Sequence, residues 1–362
     1  MRIGVPKETK VLEGRVGLIP EACAHLVRCG HEVHVQAGAG LDSGYADEQY
    51  HELGVHMVPD AETLFEVAEL VVKVKEPQPA ELELLRKDHL LFCYLHLAAE
   101  PELARALEHI GLTAVAFETV EEGGVLPLLR PMSDIAGRLA VQIGTHLLHQ
   151  PKGGRGILLG GLPAAPRGDV VVIGAGSAGG NAVALAAAMG ADVTVFDRKW
   201  EKLEQMRALG PNVTALYPYH DYLARAVHNA DLLVGAVLLP GARAPHVVPE
   251  GMVATMKERS VLVDISVDQG GCIETTRPTT YADPTYVEYG VTHFAVTNMP
   301  GAVPRTSSQA LSAALIPYVE ALAGGRLEED PRLRSGINVH HGEIVHPAVK
   351  QALAPAVKNA NN

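Results

Sequence analysis

The stretch that decides the fold is Val170-Val171-Val172-Ile173-Gly174-Ala175-Gly176-Ser177-Ala178-Gly179. A run of β-branched residues is followed by three glycines in a G-x-G-x-x-G spacing and then by an alanine-rich segment. This order predicts a buried strand, a tight turn and a packed helix. Gly174 permits the turn, Gly176 lets a ligand approach the backbone, and Gly179 lets helix and strand pack closely. The stretch therefore predicts the first half of a dinucleotide-binding unit.

A second apolar run, Ala191–Phe196, ends at Asp197, which lies 23 residues beyond Gly174. An acidic side chain at this place can accept hydrogen bonds from the adenosine ribose of NAD and repels the 2′-phosphate of NADP. We therefore expect NAD as the cofactor, although Arg198 and Lys199 leave tolerance of NADP open. The alternative is that the three glycines form a turn in some other α/β sheet, without a cofactor.

The same alternation of strands and helices extends on both sides of this stretch. A chain of 362 residues is long enough for two domains at roughly 100–200 residues each. We expect an α/β protein with a discontinuous α/β substrate domain, residues 1–127 plus 306–362, and an inserted Rossmann-type doubly wound parallel sheet, residues 128–305, that binds the cofactor. A long apolar-faced helix near 307–323 is expected to return the chain to the first domain.

Composition excludes several classes of protein. The formal charge is −12, from 30 Lys and Arg against 42 Asp and Glu, without a concentrated basic face. Nucleic acid is therefore not expected as a partner. The residues between Val170 and Ala191 carry no charge, but their five glycines and change of period predict a strand and a helix rather than a membrane span. The four cysteines form no CxxC pair, and the first residues do not read as a signal peptide, so we expect thiols in the cytoplasm.

Four polar residues stand where predicted strands or their loops end. Arg15 follows the first strand, Lys75 ends the predicted strand 70–75, His96 ends the predicted strand 89–97, and Asp268 ends the predicted strand 261–267. Hydride transfer on a small 2-amino or 2-oxo acid needs a cation for the carboxylate and an acid/base for the reacting carbon's oxygen or nitrogen, and these four residues could supply both. Taken singly, each can also be an ordinary solvated or core side chain.

The chain resembles the alanine dehydrogenase family, which also includes the soluble domain of proton-translocating transhydrogenase. The matching segments lie in order along residues 1 to about 325: Arg2–Glu8, Glu13–Val16, Val72–Pro77, Pro131–Arg138, Gly153–Gly156, Val263–Gly271, Arg277–Tyr281 and Asn298–Pro304. The last 35 residues resemble the family least. A departure occurs at Tyr217-Pro218-Tyr219-His220, where relatives often place a small hydroxyl residue against the cofactor.

The resemblance implies a set of roles. Arg15 and Lys75 would bind the substrate, His96 would be the general acid/base, and Asp268 would place water or ammonia. Residues implied to contact NAD, besides the glycine turn, are Ser133, Ser177, Ala178, Asp197, Lys202, Val237, Leu238, Ile265, Ser266, Val267, Asp268, Arg277, Val296, Thr297, Asn298 and Met299. The implied reaction is the reversible deamination of L-alanine to pyruvate and ammonium, by a homohexamer.

Three other functions remain open at this point. A lysine- or saccharopine-type dehydrogenase would use a different amino acid, and a transhydrogenase-like subunit would need a membrane partner. A non-catalytic NAD-binding protein would have no use for Arg15, Lys75, His96 and Asp268 together. No metal is expected, because His340, His341 and His346 lack the acidic ligands and spacing of a zinc site.

Overall fold

The computed structural model describes residues 1–237 and 244–354. Within them the strands are β1 (Arg2–Val5), β2 (Glu32–Gln36), β3 (His56–Val58), β4 (Leu70–Val72), β5 (Leu90–Cys93), β6 (Thr113–Ala116), β7 (Asp169–Ile173), β8 (Asp192–Phe196), β9 (Val213–Leu216), β10 (Leu232–Gly235), β11 (Val261–Asp264), β12 (Thr285–Glu288), β13 (Val291–Phe294), β14 (Ile337–His340) and β15 (Glu343–Ile344).

The helices alternate with these strands. They are α1 (Pro20–Arg28), α2 (Asp47–His51), α3 (Ala61–Val67), α4 (Pro79–Leu82), α5 (Pro101–Ile110), α6 (Arg130–Leu147), α7 (Ser177–Ala188), α8 (Trp200–Arg207), α9 (His220–Asn229), α10 (Glu250–Val253), α11 (Pro304–Ala323), α12 (Pro331–Gly336) and α13 (Pro347–Leu353). No helix in these described ranges combines the length and the apolar character that crossing a membrane requires.

The chain divides into two compact units. The first contains Met1–Met132 and the described residues from Gly301 onward, and the second contains the described residues of Ser133–Pro300. The first unit is built on a sheet of order β15-β14-β6-β5-β4-β1-β2-β3, in which the six strands from β6 to β3 are parallel. The second is built on a sheet of order β12-β13-β11-β10-β7-β8-β9, in which every strand but β12 is parallel. The predicted α/β class with two parallel-dominated sheets is confirmed.

The central strands of both sheets are short, apolar and buried on both faces. Every residue of β4, β6, β10 and β11 is buried, as expected for a parallel sheet covered by helices on both sides. The three antiparallel strands β12, β14 and β15 were not predicted. β12 and β15 are edge strands, and β14 lies between β15 and β6. All three have four residues or fewer and carry little of the alternating pattern that identifies a strand.

Several predicted elements are shorter in the structure than in the prediction. The strand predicted over 70–75 ends at Val72, and the strand predicted over 89–97 spans Leu90–Cys93. The strand predicted over 261–267 ends at Asp264. In each case the residues beyond the strand turn to form polar contacts. Lys75, His96 and Asp268 therefore lie in loops beyond the strands and not at the strand ends.

Two predicted helices are also reduced to single turns. The helix predicted over 249–258 is Glu250–Val253, because Lys257 turns away to bind Asp231 and Asp169, at 3.1 and 3.3 Å. The helix predicted over 80–87 ends at Leu82.

Candidate active site

In the first unit, the polar side chains predicted to bind or react with substrate lie at one edge of the sheet. β1 and β4 are neighbours, yet the chain visits β2 and β3 between them, so the strand order reverses there. Crevices at such reversals, at the carboxyl ends of the strands, are the usual binding places of open α/β sheets. Arg15 follows β1, Lys75 follows β4 and His96 follows β5 at this edge.

Arg15 is buried with a partner carboxylate. Its side chain is 2% exposed, and Nε and Nη2 donate to the two carboxylate oxygens of Glu13 at 2.6 and 2.5 Å. Nη1 lies 3.1 Å from the Met132 sulfur. This two-pronged pairing fixes the plane of the guanidinium. Burial acts to lower the pKa of Arg15, but Glu13 raises it above its ordinary value, so Arg15 stays charged.

The backbone of Lys75 is bound by Glu8, whereas its side-chain ammonium makes no ion pair within 4 Å in the part of the chain that the structure describes. Its N–H lies 3.4 Å from both carboxylate oxygens of Glu8, which also accepts the N–H of Val74. Among described residues no carboxylate lies within 4 Å of the Lys75 ammonium. Burial, and then the charge of Arg15, lower its pKa below that of an ordinary lysine. A half-buried cation beside Arg15 favours binding of an anion.

The Glu8 carboxylate is itself fixed by a buried ion-pair cluster. Lys73 is 1% exposed and lies 3.3 Å from Glu8 and 2.9 Å from Glu81. Burial acts to lower the pKa of Lys73, but Glu8 and Glu81 together raise it above its ordinary value, which keeps the ammonium charged. The cluster anchors the turn that carries Lys75.

His96 lies in a backbone conformation that side chains rarely adopt. Its φ is +52°, in the left-handed region. Glu118, which follows β6, accepts the His96 N–H at 2.6 Å and the Leu95 N–H at 3.3 Å. The imidazole stacks on Tyr94 with the ring centroids 6.0 Å apart, and its side chain is 45% exposed. Such strain at an exposed, oriented imidazole is typical of a functional residue.

The second unit contains the predicted glycine turn. Gly174 has φ +97°, and a Cβ there would lie 2.6 Å from the Ala236 carbonyl oxygen, so no other residue fits. A Cβ at Gly179 would lie 1.7 Å from the Gly174 oxygen, which confirms the close approach of helix and turn. At Gly176 the nearest atom to a Cβ is the Lys202 nitrogen at 3.9 Å. Gly176 caps α7 without a side-chain bond, which leaves the helix N-terminus open to a diphosphate.

Asp197 follows β8, beside this turn. One carboxylate oxygen accepts the Ala175 N–H at 2.8 Å and the other accepts the Lys199 N–H at 2.9 Å. Lys202 lies 3.8 Å from the same carboxylate. Because each carboxylate oxygen can accept two hydrogen bonds, both retain capacity for a ribose hydroxyl. The backbone bonds orient the carboxylate toward the glycine turn.

Replacing Asp197 by serine is expected to weaken NAD binding by about 1.5–3 kcal/mol, the worth of a hydrogen bond to a charged group. NADP, which the carboxylate repels, should bind better in the same variant. Asp192→Ser is the matched control, because Asp192 is exposed at the opposite end of β8. Dissociation constants for both dinucleotides give the comparison. An unchanged preference in Asp197→Ser would remove Asp197 from the cofactor site.

Asp268 lies in a short 3-10 turn, Val267–Gln269, and is exposed. The preceding loop is shaped by Asp264, which is fully buried at the end of β11. Its carboxylate accepts the N–H groups of Ser266 and Cys272 at 2.9 and 3.0 Å and the Thr276 hydroxyl at 2.8 Å. Burial raises the Asp264 pKa above its usual range, against these bonds. Asp264 therefore sets the direction in which the Asp268 loop leaves the sheet.

The other expected cofactor residues that the structure describes are spread over several loops and helices of the second unit. Leu238 lies outside the described residues, directly after Val237, which follows β10. The remaining ones lie in α6 (Ser133), at the start of α7 (Ser177, Ala178), after β11 (Ile265, Ser266, Val267) and after β13 (Val296, Thr297, Asn298, Met299). Asn298 has φ +63°. Arg277 is exposed, and its guanidinium carbon lies 3.7 Å from the centre of the Tyr286 ring.

Four carboxylates that bind the loops of the candidate residues were not predicted from the sequence. Glu8, Glu13, Glu118 and Asp264 are each bonded to the loop of a candidate residue. Two signals could have indicated them. Glu13 is two residues from Arg15, and Glu118 follows the strand beside that of His96.

Two protein-family models match this chain. The model described as "Alanine dehydrogenase/PNT, N-terminal domain" matches residues 4–136, and the model described as "Alanine dehydrogenase/PNT, C-terminal domain" matches residues 140–347. The chain belongs to the alanine dehydrogenase/PNT family. Alanine dehydrogenase of Bacillus subtilis (strain 168) is 48% identical over 359 residues, which cover 98% of this chain and 95% of the relative. Alanine dehydrogenase of Methanococcus maripaludis is 44% identical over 372 residues, which cover all of both chains.

Two solved structures are similar to this chain over nearly its whole length. A structure titled L-alanine dehydrogenase has a TM-score of 0.94 at 50% identity and covers 97% of this chain and 99% of its own. A transhydrogenase from Sinorhizobium meliloti has a TM-score of 0.84 at 27% identity and covers 96% of this chain and all of its own. Of the two relatives, the dehydrogenase is the more similar in sequence and in fold.

Proposed function

We propose that this chain catalyses the reversible NAD-dependent oxidative deamination of L-alanine. L-Alanine, NAD and water give pyruvate, ammonium, NADH and a proton. The observation that carries the proposal is identity of 44–48% with alanine dehydrogenases along nearly the whole chain. Arg15, Lys75, His96 and Asp268 supply the groups that the reaction needs.

NAD fits the residues present in the second unit. The open backbone at Gly176 and the uncapped start of α7 suit the diphosphate, and the Asp197 carboxylate suits the adenosine ribose. We assign the predicted set from Ser133 to Met299 to the same cofactor. When bound, NAD supplies the acceptor for the hydride that leaves Cα of the amino acid.

The substrate carboxylate is assigned to Arg15 and Lys75. Arg15 is fixed in one plane by Glu13, so it can offer a preorganised donor set without losing rotamer entropy on binding. Lys75 adds a second positive charge, which acts on the carboxylate and carbonyl of pyruvate. The first unit therefore determines the affinity for a short 2-oxo or 2-amino acid.

Proton transfer is assigned to His96 with Asp268. After hydride loss the substrate is an iminium ion, which water attacks at Cα. Asp268 orients this water, and the His96 imidazole takes its proton and then protonates the nitrogen that leaves as ammonia. An imidazole suits both steps, because its ring nitrogens can both accept and donate a proton. Glu118 holds the backbone of His96 while the ring exchanges protons.

The lowered pKa of Lys75 predicts a pH effect on substrate binding. The ammonium loses its proton at a lower pH than an exposed lysine does, so pyruvate affinity should fall as pH rises through that pKa. Lys75→Arg keeps its charge at these pH values, and the alkaline fall should disappear. Pyruvate dissociation constants measured with NAD bound, a pair that cannot react, test this directly. Lys87→Arg, at an exposed position of the same unit, is the control. An alkaline fall that persists in Lys75→Arg would assign it to another group.

The proposed activity is tested by NADH formation with a panel of L-amino acids at alkaline pH. We expect kcat/KM for L-alanine to exceed that for L-lysine and saccharopine by orders of magnitude, with pyruvate and ammonium formed in equal amounts. A preference for lysine or saccharopine would indicate the related dehydrogenases. NAD binding without NADH formation from any amino acid would indicate a non-catalytic protein.

We also propose a cytoplasmic homohexamer, on the resemblance to the family. The mass of the assembly in solution tests the oligomeric state, since a monomer or dimer at assay concentration would contradict it.

A further inference from the structure

Three metal-binding side chains meet on the first unit, away from the loops of Arg15, Lys75 and His96. His25 lies in the last turn of α1, Cys29 follows that helix directly, and Glu320 lies in α11. The His25 Nε2 lies 2.9 Å from a Glu320 oxygen, and the Cys29 sulfur lies 3.4 Å from the same oxygen and 3.8 Å from Nε2. Nitrogen, sulfur and oxygen ligands thus converge on one small volume.

These separations match the edges of a zinc coordination tetrahedron. Bonds of about 2.0 Å to nitrogen and oxygen and about 2.3 Å to sulfur place tetrahedral ligand atoms about 3.3–3.5 Å apart. The three measured edges depart from this range by about 0.4 Å or less. A metal ion can therefore take the place of the protons in the hydrogen bonds among His25, Cys29 and Glu320 with only small side-chain rotations.

The two helices that carry the ligands are fixed relative to each other. His25 and Cys29 are four residues apart, and the Cys29 N–H donates to the His25 carbonyl, so both side chains lie on one face of α1. The Ser312 hydroxyl of α11 accepts the N–H of Ile19 at 2.9 Å, just before α1. It also donates to the Gly17 carbonyl at 3.0 Å. The ligand positions are thus preorganised within one unit.

The side chains are accessible to an ion. His25 is 42% exposed and Glu320 is 35% exposed, while Cys29 is the exposed one of the four cysteines. The sulfur and imidazole favour zinc or cobalt over magnesium or calcium.

We propose that His25, Cys29 and Glu320 form a binding site for a thiophilic divalent cation such as Zn²⁺, with a fourth coordination position open to water. Binding replaces the thiol proton of Cys29, which leaves to solvent, by a metal–sulfur bond, and no redox change occurs. Sequence spacing did not indicate this site, because Glu320 is 291 residues from Cys29. The site is independent of the proposed dehydrogenase activity.

Cobalt titration of the full-length, metal-free, reduced protein tests the proposal. Co²⁺ bound to Cys29 should give a thiolate charge-transfer band in the near ultraviolet and the visible bands of a tetrahedral ion, at one equivalent per chain, and Zn²⁺ should bleach both. Cys29→Ser should abolish the charge-transfer band, and Glu320→Gln should weaken binding by at least tenfold.

Two matched controls keep the test specific. Cys23→Ala removes a buried thiol from the same helix, and His109→Gln removes an exposed histidine from the last turn of α5. Both should bind Co²⁺ like the unchanged chain, and circular dichroism checks that each variant is folded. Absence of the thiolate band in the unchanged chain, or its survival in Cys29→Ser, would overturn the site and show a hydrogen-bonded trio without a metal. Either result leaves the amino-acid panel unaffected.

Discussion

Replacement of His96 by alanine is expected to lower kcat for L-alanine deamination by about 10²–10⁴-fold, the usual contribution of a general acid–base group. His96 offers a ring that is partly exposed and stacked on Tyr94, at a backbone position that Glu118 holds in a rare conformation. The loss should appear in kcat and not in the affinity for NAD, because the ring lies in the first unit and Asp197 in the second.

His109→Ala is the matched control, since His109 is exposed and lies on α5, next along the chain. Its kcat should stay near that of the unchanged enzyme. A loss of tenfold or less in kcat would reduce His96 to a structural role.

Replacement of Arg15 by alanine is expected to cost about 2–5 kcal/mol in pyruvate affinity. At about 1.4 kcal/mol per tenfold, this is a rise of roughly 30- to 4,000-fold in the dissociation constant. Arg15→Lys should not restore binding, because an ammonium cannot reproduce the two-pronged guanidinium contact. The measurement is pyruvate binding with NAD present.

Glu13 complicates the alanine variant, because its buried carboxylate would lose its partner. An unpaired buried charge costs about 3–5 kcal/mol of folding free energy. The double variant Arg15→Ala, Glu13→Gln removes that charge and separates folding from binding. It should unfold at a higher temperature than Arg15→Ala and still bind pyruvate weakly. Near-normal pyruvate binding in the double variant would remove Arg15 from the substrate site.

The sequence predicts which segments form strands better than it predicts the residues at which those strands end. Apolar runs such as Val170–Ile173 and Leu70–Val72 are long enough and buried enough to be read as strands without ambiguity. The polar residues that follow these strands make tertiary contacts with residues distant in sequence. Lys73 follows β4 directly, and its ammonium is bound by two distant carboxylates, Glu8 and Glu81. No local pattern encodes such a contact.

In the candidate site, too, some residues can be predicted from local sequence and others cannot. The glycine turn and Asp197 are predicted by local spacing, because backbone approach and helix packing require glycine at fixed offsets. The roles of Arg15 and His96 rest on resemblance, since a single arginine or histidine has no local pattern that marks its function. Glu118 follows β6 and binds the loop after the neighbouring strand β5, and Asp264 binds the loop that follows its own strand, β11. These contacts can be recognised only once the strand order is known.

Arg15, Lys75, His96 and Asp268 are expected to act on one substrate beside NAD, and a crystal structure of the chain with NAD and pyruvate would show whether they do. We expect the pyruvate carboxylate within hydrogen-bond distance of the Arg15 guanidinium and the Lys75 ammonium. We also expect the keto oxygen within reach of His96 and the nicotinamide on the side of Asp268. Pyruvate bound at other side chains, with none of these four in contact, would show that this assignment of the substrate site is wrong.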